Sequence, residues 1–76
     1  MSKPSVDALE QRAQSALRTS PIYDLHDLHV ARNGDRLLIS GTVTSFYHKQ
    51  LAQEVVRAVV EGIEVVNSVD VSHTLD

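Results

Sequence analysis

The chain has 76 residues and a formal net charge of −3; 42% of the residues are hydrophobic, 22% are charged and none is cysteine. This length makes one small domain, whose core must be aliphatic because the only aromatic residues are two tyrosines and one phenylalanine. The composition excludes disulfides, thiolate catalysis and zinc–thiolate sites, and the negative charge argues mildly against nonspecific binding to nucleic acids or to an anionic membrane.

The N-terminal segment predicts a disordered lead at residues 1–4 and then a helix at about 5–19. Ser5 is suited to cap this helix, and Pro21 stops it because proline cannot continue a helix. One narrow apolar stripe follows the helical period and is formed by Val6, Leu9, Ala13, Ala16 and Leu17.

A connector at 22–27 leads to two predicted strands joined by a tight turn. From Leu28 to Ala31 the residues alternate with the period of a half-buried strand. The Asn33-Gly34 pair predicts a type I′ turn, because both residues tolerate a positive φ. The return strand is expected to place Leu37, Ile39, Gly41 and Val43 on one face. The other face, formed by Leu38, Ser40, Thr42 and Thr44, is mostly polar.

A second helix of about 15 residues is expected after Thr44 or Ser45, either of which can cap it. Gly62 stands where a left-handed residue closes a helix. The segment from Val65 to Val71 alternates again and predicts a final strand. The apolar face of this helix is formed by Leu51, Ala52, Val55, Val56, Val59 and Val60.

These elements predict an α+β fold in the order αββαβ, with residues 5–73 as a single domain and 74–76 as a tail. The second helix is long enough to return the chain along the sheet, so the simplest final strand lies parallel to the second strand through a right-handed crossover. We expect a two-layer sandwich in which both helices pack on one face of a three-stranded mixed sheet. The sequence does not select the central strand.

An ordered set of short motifs runs through the second half of the chain. A strand ending in Gly-Thr-Val-Thr-Ser is followed by an alanine- and valine-bearing helix, a Gly-aliphatic pair and a Val-x-Asn-x-aliphatic-x-Val strand. Together with the first helix and the hairpin, this set resembles the BON domain over about residues 6–72. The spacing from Gly62 to Asn67 is about one residue shorter than is common in the family, which bears on the register of the last strand. The matching residues are Ile39, Gly41, Val43, Ser45, Ala52, Val56, Gly62, Ile63, Val65, Asn67, Val69 and Val71.

The BON family is named for bacterial osmotic-stress and nodulation proteins. The resemblance implies a small αββαβ module without enzyme activity, often found in periplasmic or surface proteins and proposed to bind phospholipid or to attach proteins to membranes. The chain shows neither a signal peptide nor an apolar run of the length that spans a bilayer. We therefore expect a cytoplasmic protein if Met1 is the native start, and a periplasmic or envelope-associated one if the chain is an excised domain.

The best candidate for membrane contact is the start of the second helix. Two aromatic rings, an imidazole and an amine occur there in succession, and free helix amides can face phosphate. The alternative is that one aromatic side chain packs over the core while its neighbours are merely solvated. The candidate lipid- or partner-binding residues are Phe46, Tyr47, His48, Lys49 and Arg57.

Gly41, Gly62 and Asn67 are interpreted as structural residues. Glycine inside a strand marks a close approach, which we assign at Gly41 to a helix crossing the sheet, with a ligand against bare backbone as the alternative. We expect Asn67 to hydrogen-bond a turn or the end of the second helix, because a buried amide needs partners, with ligand binding as the alternative.

Metal binding, catalysis and nucleic-acid binding are not supported. The metal-capable residues of one short segment are Asp24, His26, Asp27 and His29. A site needs three or four converging ligands, and we expect neither His48 nor His73 to join this segment. No carboxylate pair or nucleophile–base spacing stands out, and the chain has neither a Gly-x-x-Gly loop nor a basic stripe with interleaved aromatics. We predict no metal, no cofactor and no enzyme activity.

Two functions follow from the sequence. The leading hypothesis is a non-catalytic BON-type module that associates with a phospholipid surface. The alternative is a protein–protein interaction or self-association module that uses the second face of the sheet and its edge strands. Val66, directed away from the main core face, favours this alternative.

Overall fold

The structure, a computed structural model, describes residues 6–72. The predicted disordered lead at 1–4, the Ser5 cap, His73 and the tail at 74–76 lie outside these residues. The elements are α1 (Val6–Arg18), a 3-10 turn (Tyr23–Leu25), β1 (His29–Asn33), β2 (Arg36–Ser40), β3 (Thr42–Val43), α2 (Phe46–Val59), β4 (Glu64–Asn67) and β5 (Asp70–Val71).

The predicted α+β fold with a three-stranded mixed sheet is confirmed. β2 is the central strand, with β1 antiparallel on one side and β4 parallel on the other. The parallel pair aligns Arg36 with Glu64 and Ile39 with Asn67, which fixes the register of the last strand. β3 and β5 form a second, short parallel pair. The long α2 connection makes the parallel pairing possible, because parallel strands cannot be joined by a tight turn.

One aliphatic cluster holds the helices against a single face of the sheet. Ala13 and Leu17 of α1 and Val56 of α2 are fully buried against Leu37 and Ile39 of β2. Burial of each large aliphatic side chain stabilises the fold by about 1.5–3 kcal/mol. Among the described residues, the cluster contains no aromatic side chain. It is formed by Leu9, Ala13, Leu17, Leu25, Leu28, Val30, Leu37, Ile39, Val43, Ala52, Val56, Val60 and Val69.

The ends of α2 are set by local hydrogen bonds. Ser45 is the N-cap: its backbone is extended, with φ −151°, and its Oγ accepts from the N–H of His48 at 3.1 Å. At the other end the helix stops at Val59, and Val60 adopts an extended conformation with φ −128°. Gly62 has the positive φ that was predicted, 75°, but it lies in the loop beyond this cap and does not itself close the helix.

The prediction that each long strand is continuous was wrong. The return strand is divided at Gly41, and the last strand is divided after Asn67. Hydrogen bonds nevertheless cross both breaks, because the N–H of Ser68 donates to the Ile39 carbonyl at 2.8 Å and that of Asp70 to the Gly41 carbonyl at 2.9 Å. The two strands therefore bend together and stay paired.

The break at Gly41 has a steric cause. Its φ is 124°, a conformation that side chains of L-residues rarely adopt. A Cβ at this position would lie 2.8 Å from Cδ2 of Leu28 and 3.4 Å from its Cα. The close approach predicted at Gly41 is thus made by the residue that precedes β1, and its assignment to a crossing helix was wrong.

The hairpin turn also differs from the prediction. Asn33 and Arg36 form the last pair of the hairpin, so the two turn residues are Gly34 and Asp35. Only Gly34 has a positive φ, 64°. A positive φ at the first turn residue alone is the pattern of a type II′ turn, whereas a type I′ turn needs positive values at both.

Candidate functional site

The three aromatic side chains of the chain are exposed. Tyr23 in the 3-10 turn is 84% exposed, and Phe46 and Tyr47 at the start of α2 are 65% and 67% exposed. The alternative in which one of these rings packs as a cap over the core is therefore not observed. Large aromatic side chains at the surface are more informative than scattered aliphatic ones, because they bind partners through an apolar face and a polar edge.

Asp24 connects the 3-10 turn to the start of α2. Its Oδ2 accepts from the N–H of Thr44 at 2.8 Å, accepts from Thr44 Oγ1 at 3.0 Å and lies 2.8 Å from Nδ1 of His48. The backbone hydrogen bond from Thr44 lowers the pKa of Asp24, and the contact with His48 lowers it further. The prediction that His48 has no reason to join this segment was wrong. We call Tyr23, Phe46 and Tyr47, whose segments are joined by the Asp24–His48 contact, the aromatic end.

Two of the predicted contact residues are engaged within the fold. The His48 N–H donates to the Ser45 cap and its ring contacts Asp24. Lys49 is half-buried, and its carbonyl accepts from Asn67. The carboxylate of Asp24 also already supplies negative charge near the positive N-terminal end of α2. This end of the helix is consequently less suited to capture a phosphate than the sequence suggested.

The structure separates Arg57 from the other candidates. Arg57 lies in the last turn of α2, eleven residues after Phe46, which corresponds to about 16 Å along the helix. It lines a shallow open hollow of about 210 Å³ together with Gln50, Gln53 and Glu54. This hollow is smaller than typical small-molecule pockets, which measure about 300–1,000 Å³.

The metal-capable segment does not converge on one point. Nε2 of His26 lies 2.7 Å from the Ser20 carbonyl, and Asp24 contacts Thr44 and His48. Within residues 6–72 no three histidine, cysteine or acidic side chains come together in a way that could hold a metal ion. The hydrogen bonds of this segment instead organise the connector between α1 and β1.

Asn67 ties the last strand to α2. Its Nδ2 donates to the Lys49 carbonyl at 2.8 Å and contacts Gln53 Oε1 at 3.4 Å, while its Oδ1 accepts from the N–H of Val69 at 3.2 Å. The partners are a carbonyl in the first half of the helix and the turn that follows β4. Both the donor and the acceptor of the Asn67 side-chain amide are therefore hydrogen-bonded within the protein.

Sequence reasoning missed Tyr23 as part of this region. The only signal in its favour was indirect, since an aliphatic core leaves the few aromatic residues available for the surface. Its approach to α2 depends on the contacts of Asp24 with Thr44 and His48, which lie 20 and 24 positions further along the chain. No local pattern encodes such a contact.

Comparison with known proteins gives one family. The sequence model described as the BON domain matches residues 5–72, which confirms the resemblance noted in the sequence. No curated protein matches the chain. Within residues 6–72, neither helix has the length and apolar character needed to cross a membrane. The match is consistent with a non-catalytic module.

Proposed function

The chain belongs to the BON domain family, and from this premise we propose that it is a non-catalytic binding module that attaches to phospholipid surfaces through its aromatic end. The observation that carries the proposal is the exposure of all three aromatic side chains around one contact, that between Asp24 and His48. Tyrosine and related side chains favour the interface between lipid and water, where the ring is apolar and the hydroxyl stays hydrated.

The aromatic end is suited to shallow insertion. Asp24 holds the segment before α2 through Thr44 and the first turn of α2 through His48, so Tyr23 and Tyr47 are presented by rigidly connected backbone. Preorganised groups lose less conformational entropy on binding. The aliphatic core makes no use of these rings, so insertion into a bilayer does not require unfolding.

Charge indicates which lipids are recognised. The aromatic end contains the carboxylate of Asp24, and the whole chain carries a net charge of −3. An anionic surface therefore gains little from electrostatic attraction. We propose that binding is driven by apolar insertion, with similar affinity for zwitterionic and anionic lipids and with weak dependence on salt.

Amide-shift mapping by NMR tests the proposal. The protein is titrated with phosphatidylcholine micelles and with micelles that also contain an anionic phospholipid, and we expect shifts at residues 22–24 and 44–49 with both. The Tyr23→Ser/Tyr47→Ser double variant should bind about thirtyfold more weakly, because each exposed ring contributes roughly 1 kcal/mol when its apolar surface is buried and two rings together contribute about 2 kcal/mol. Arg57→Ala, at the other end of α2, is the matched control and should bind like the unmodified chain. If neither kind of micelle shifts the amide signals of the aromatic end, the proposal is contradicted.

A further inference from the structure

The two edges of the sheet differ in their hydrogen bonding. On the β1 edge, the side-chain amide of Gln14 donates to the Leu28 carbonyl and accepts from the N–H of Val30, both at 2.8 Å. Glu10 accepts from the next outward N–H, that of Arg32, at 2.6 Å. Gln14 thus forms the two hydrogen bonds that a neighbouring strand would form. These contacts of α1 close the β1 edge to another strand.

The β4 edge is open. The N–H of Ser68 donates to Ile39 of β2, so by alternation the N–H and C=O groups of Val65 and Asn67 point away from β2. Within residues 6–72 no strand lies on that side of β4. The opening is short, because the next outward N–H, that of Val69, is bonded to the Asn67 side chain.

We propose that β4 pairs antiparallel with β4 of a second copy of the chain, about a twofold axis at Val66. In this register Val65 lies opposite Asn67 of the partner subunit, and the two residues exchange both of their backbone hydrogen bonds. The symmetric pair repeats the exchange, and Val66 faces the partner's Val66 as a non-hydrogen-bonded pair, in which side chains approach most closely. The proposal goes beyond lipid binding and does not depend on it.

The face of the sheet opposite the helices supports a second copy as the occupant. Leu38 lies in register between Ala31 of β1 and Val66 of β4, and all three are half-buried, so an apolar row crosses this face. Pairing at Val66 would continue the row into the partner's sheet. Glu64 would lie opposite Ser68 of the partner subunit, so no like charges are opposed on the paired strands.

Charges on α2 are compatible with the same axis. The contact between Gln53 and Asn67 places the flank of α2 that carries Gln50, Gln53 and Arg57 on the β4 side. A twofold axis reverses the direction of the helix in the partner. Arg57 then approaches Glu54 and Gln50 of the partner subunit and lies far from the partner's Arg57.

The closed β1 edge limits pairing through the three-stranded sheet to two copies. Within residues 6–72 this sheet has one open edge, that of β4, and a twofold pair uses both copies of it. Because β4 has four residues, the interface is smaller than the roughly 1,200 Å² of stable complexes, and we expect a dissociation constant in the micromolar to millimolar range.

Sedimentation equilibrium over a concentration series without lipid tests the dimer. We expect the unmodified chain to show a monomer–dimer equilibrium, and both Val66→Lys and Val66→Glu to lower the association constant about tenfold, because the Val66–Val66 contact is lost and like charges then face each other. An equimolar mixture of the two variants should associate again as a heterodimer. Ala31→Lys places the same charge on the same face of the sheet but on β1, and should leave the dimer unchanged.

Each outcome bears on the dimer and leaves lipid binding untouched. The proposal is overturned if the unmodified chain stays monomeric at millimolar concentration. It is also overturned if the Val66→Lys variant dimerises with the association constant of the unmodified chain. Circular dichroism shows whether the variants are folded. A mixture of folded Val66→Lys and Val66→Glu chains that fails to associate also overturns it, because pairing at Val66 should bring the opposite charges together.

Discussion

Oδ2 of Asp24 lies 2.8 Å from Nδ1 of His48, which links the 3-10 turn to the first turn of α2 across 24 positions of sequence. The same oxygen accepts both hydrogen bonds of Thr44, the residue before the N-cap. One carboxylate therefore holds the approach to the helix and the helix itself. Ionisation of Asp24 therefore stabilises the fold at this junction.

Replacing Asp24 with Asn should reveal this stabilisation as a function of pH. The pKa of Asp24 is lowered from its ordinary value of 3.8, chiefly by the Thr44 backbone hydrogen bond. The carboxylate therefore stabilises the fold fully above pH 3.8 and loses this effect as the pH falls through its folded-state pKa. At neutral pH we expect the Asn variant to be about 1–2 kcal/mol less stable. Urea unfolding at several pH values measures the difference between the two proteins, which should shrink in acid; a constant difference would contradict this account.

Gly41→Ala should be strongly destabilising. The new Cβ would meet Leu28 Cδ2 at 2.8 Å and the backbone would have to keep a φ of 124°. Together, steric overlap and backbone strain of this kind cost about 3 kcal/mol. Gly34→Ala is the matched control, because Gly34 also has a positive φ but no atom within 4 Å of the added Cβ, so we expect about 1 kcal/mol. Thermal unfolding compares the two variants. Equal losses of stability would show that the Leu28 side chain moves away from the added Cβ without a measurable energetic cost.

Asn67→Ala should loosen the turn that follows β4. It removes the donor to the Lys49 carbonyl and the acceptor of the Val69 N–H, at a cost of about 1–3 kcal/mol. Asn67→Asp keeps the acceptor but replaces the donor with a carboxylate oxygen that faces the Lys49 carbonyl. Native-state hydrogen exchange should therefore show a faster Val69 amide in the Ala variant than in the Asp variant. Equal exchange in both would mean that the Asn67 side chain does not protect this amide.

Gln14→Leu should expose the β1 edge. The substitution keeps the size of the side chain but removes both of its hydrogen bonds with β1. We expect the Val30 amide to exchange about tenfold faster, the effect of one hydrogen bond of about 1.4 kcal/mol. Gln11→Leu, at an exposed position of the same helix, is the control. Unchanged exchange at Val30 in the Gln14 variant would show that the edge is protected by other means.

The sequence predicted the fold well because its periodicities are local. The alternation around Val30 and the helical spacing of Ala52 and Val56 identify the buried residues correctly, and the crossover length predicts the parallel pairing of β2 and β4. The turn predicted at Asn33-Gly34 was wrong in position, because Gly34 and Asp35 are the two turn residues and Asn33 belongs to β1. The pairing of Asn33 with Arg36, which places the turn, is set by the register of the whole hairpin.

The candidate site was predicted less well, because its geometry depends on contacts between distant residues. The exposure of Phe46 and Tyr47 fits their place in the helix pattern, whereas the approach of Tyr23 depends on Asp24 reaching Thr44. The distance between Arg57 and the start of α2 follows from helix length alone and could be predicted from the sequence. The difference between the β1 and β4 edges could not be predicted, since it depends on where the Gln14 side chain lies.

Because both tyrosines are exposed, their intrinsic fluorescence can report on lipid attachment. The chain has no tryptophan, so Tyr23 and Tyr47 dominate its near-ultraviolet fluorescence. Both rings are already largely in water in the folded state, at 84% and 67% exposure, and each has one histidine ring neighbour, so unfolding of the core should change their emission less than burial of the rings does. The emission should change when the aromatic end enters a bilayer. Fluorescence and far-ultraviolet circular dichroism therefore report on separate events, and lipid attachment can be followed in an unlabelled chain.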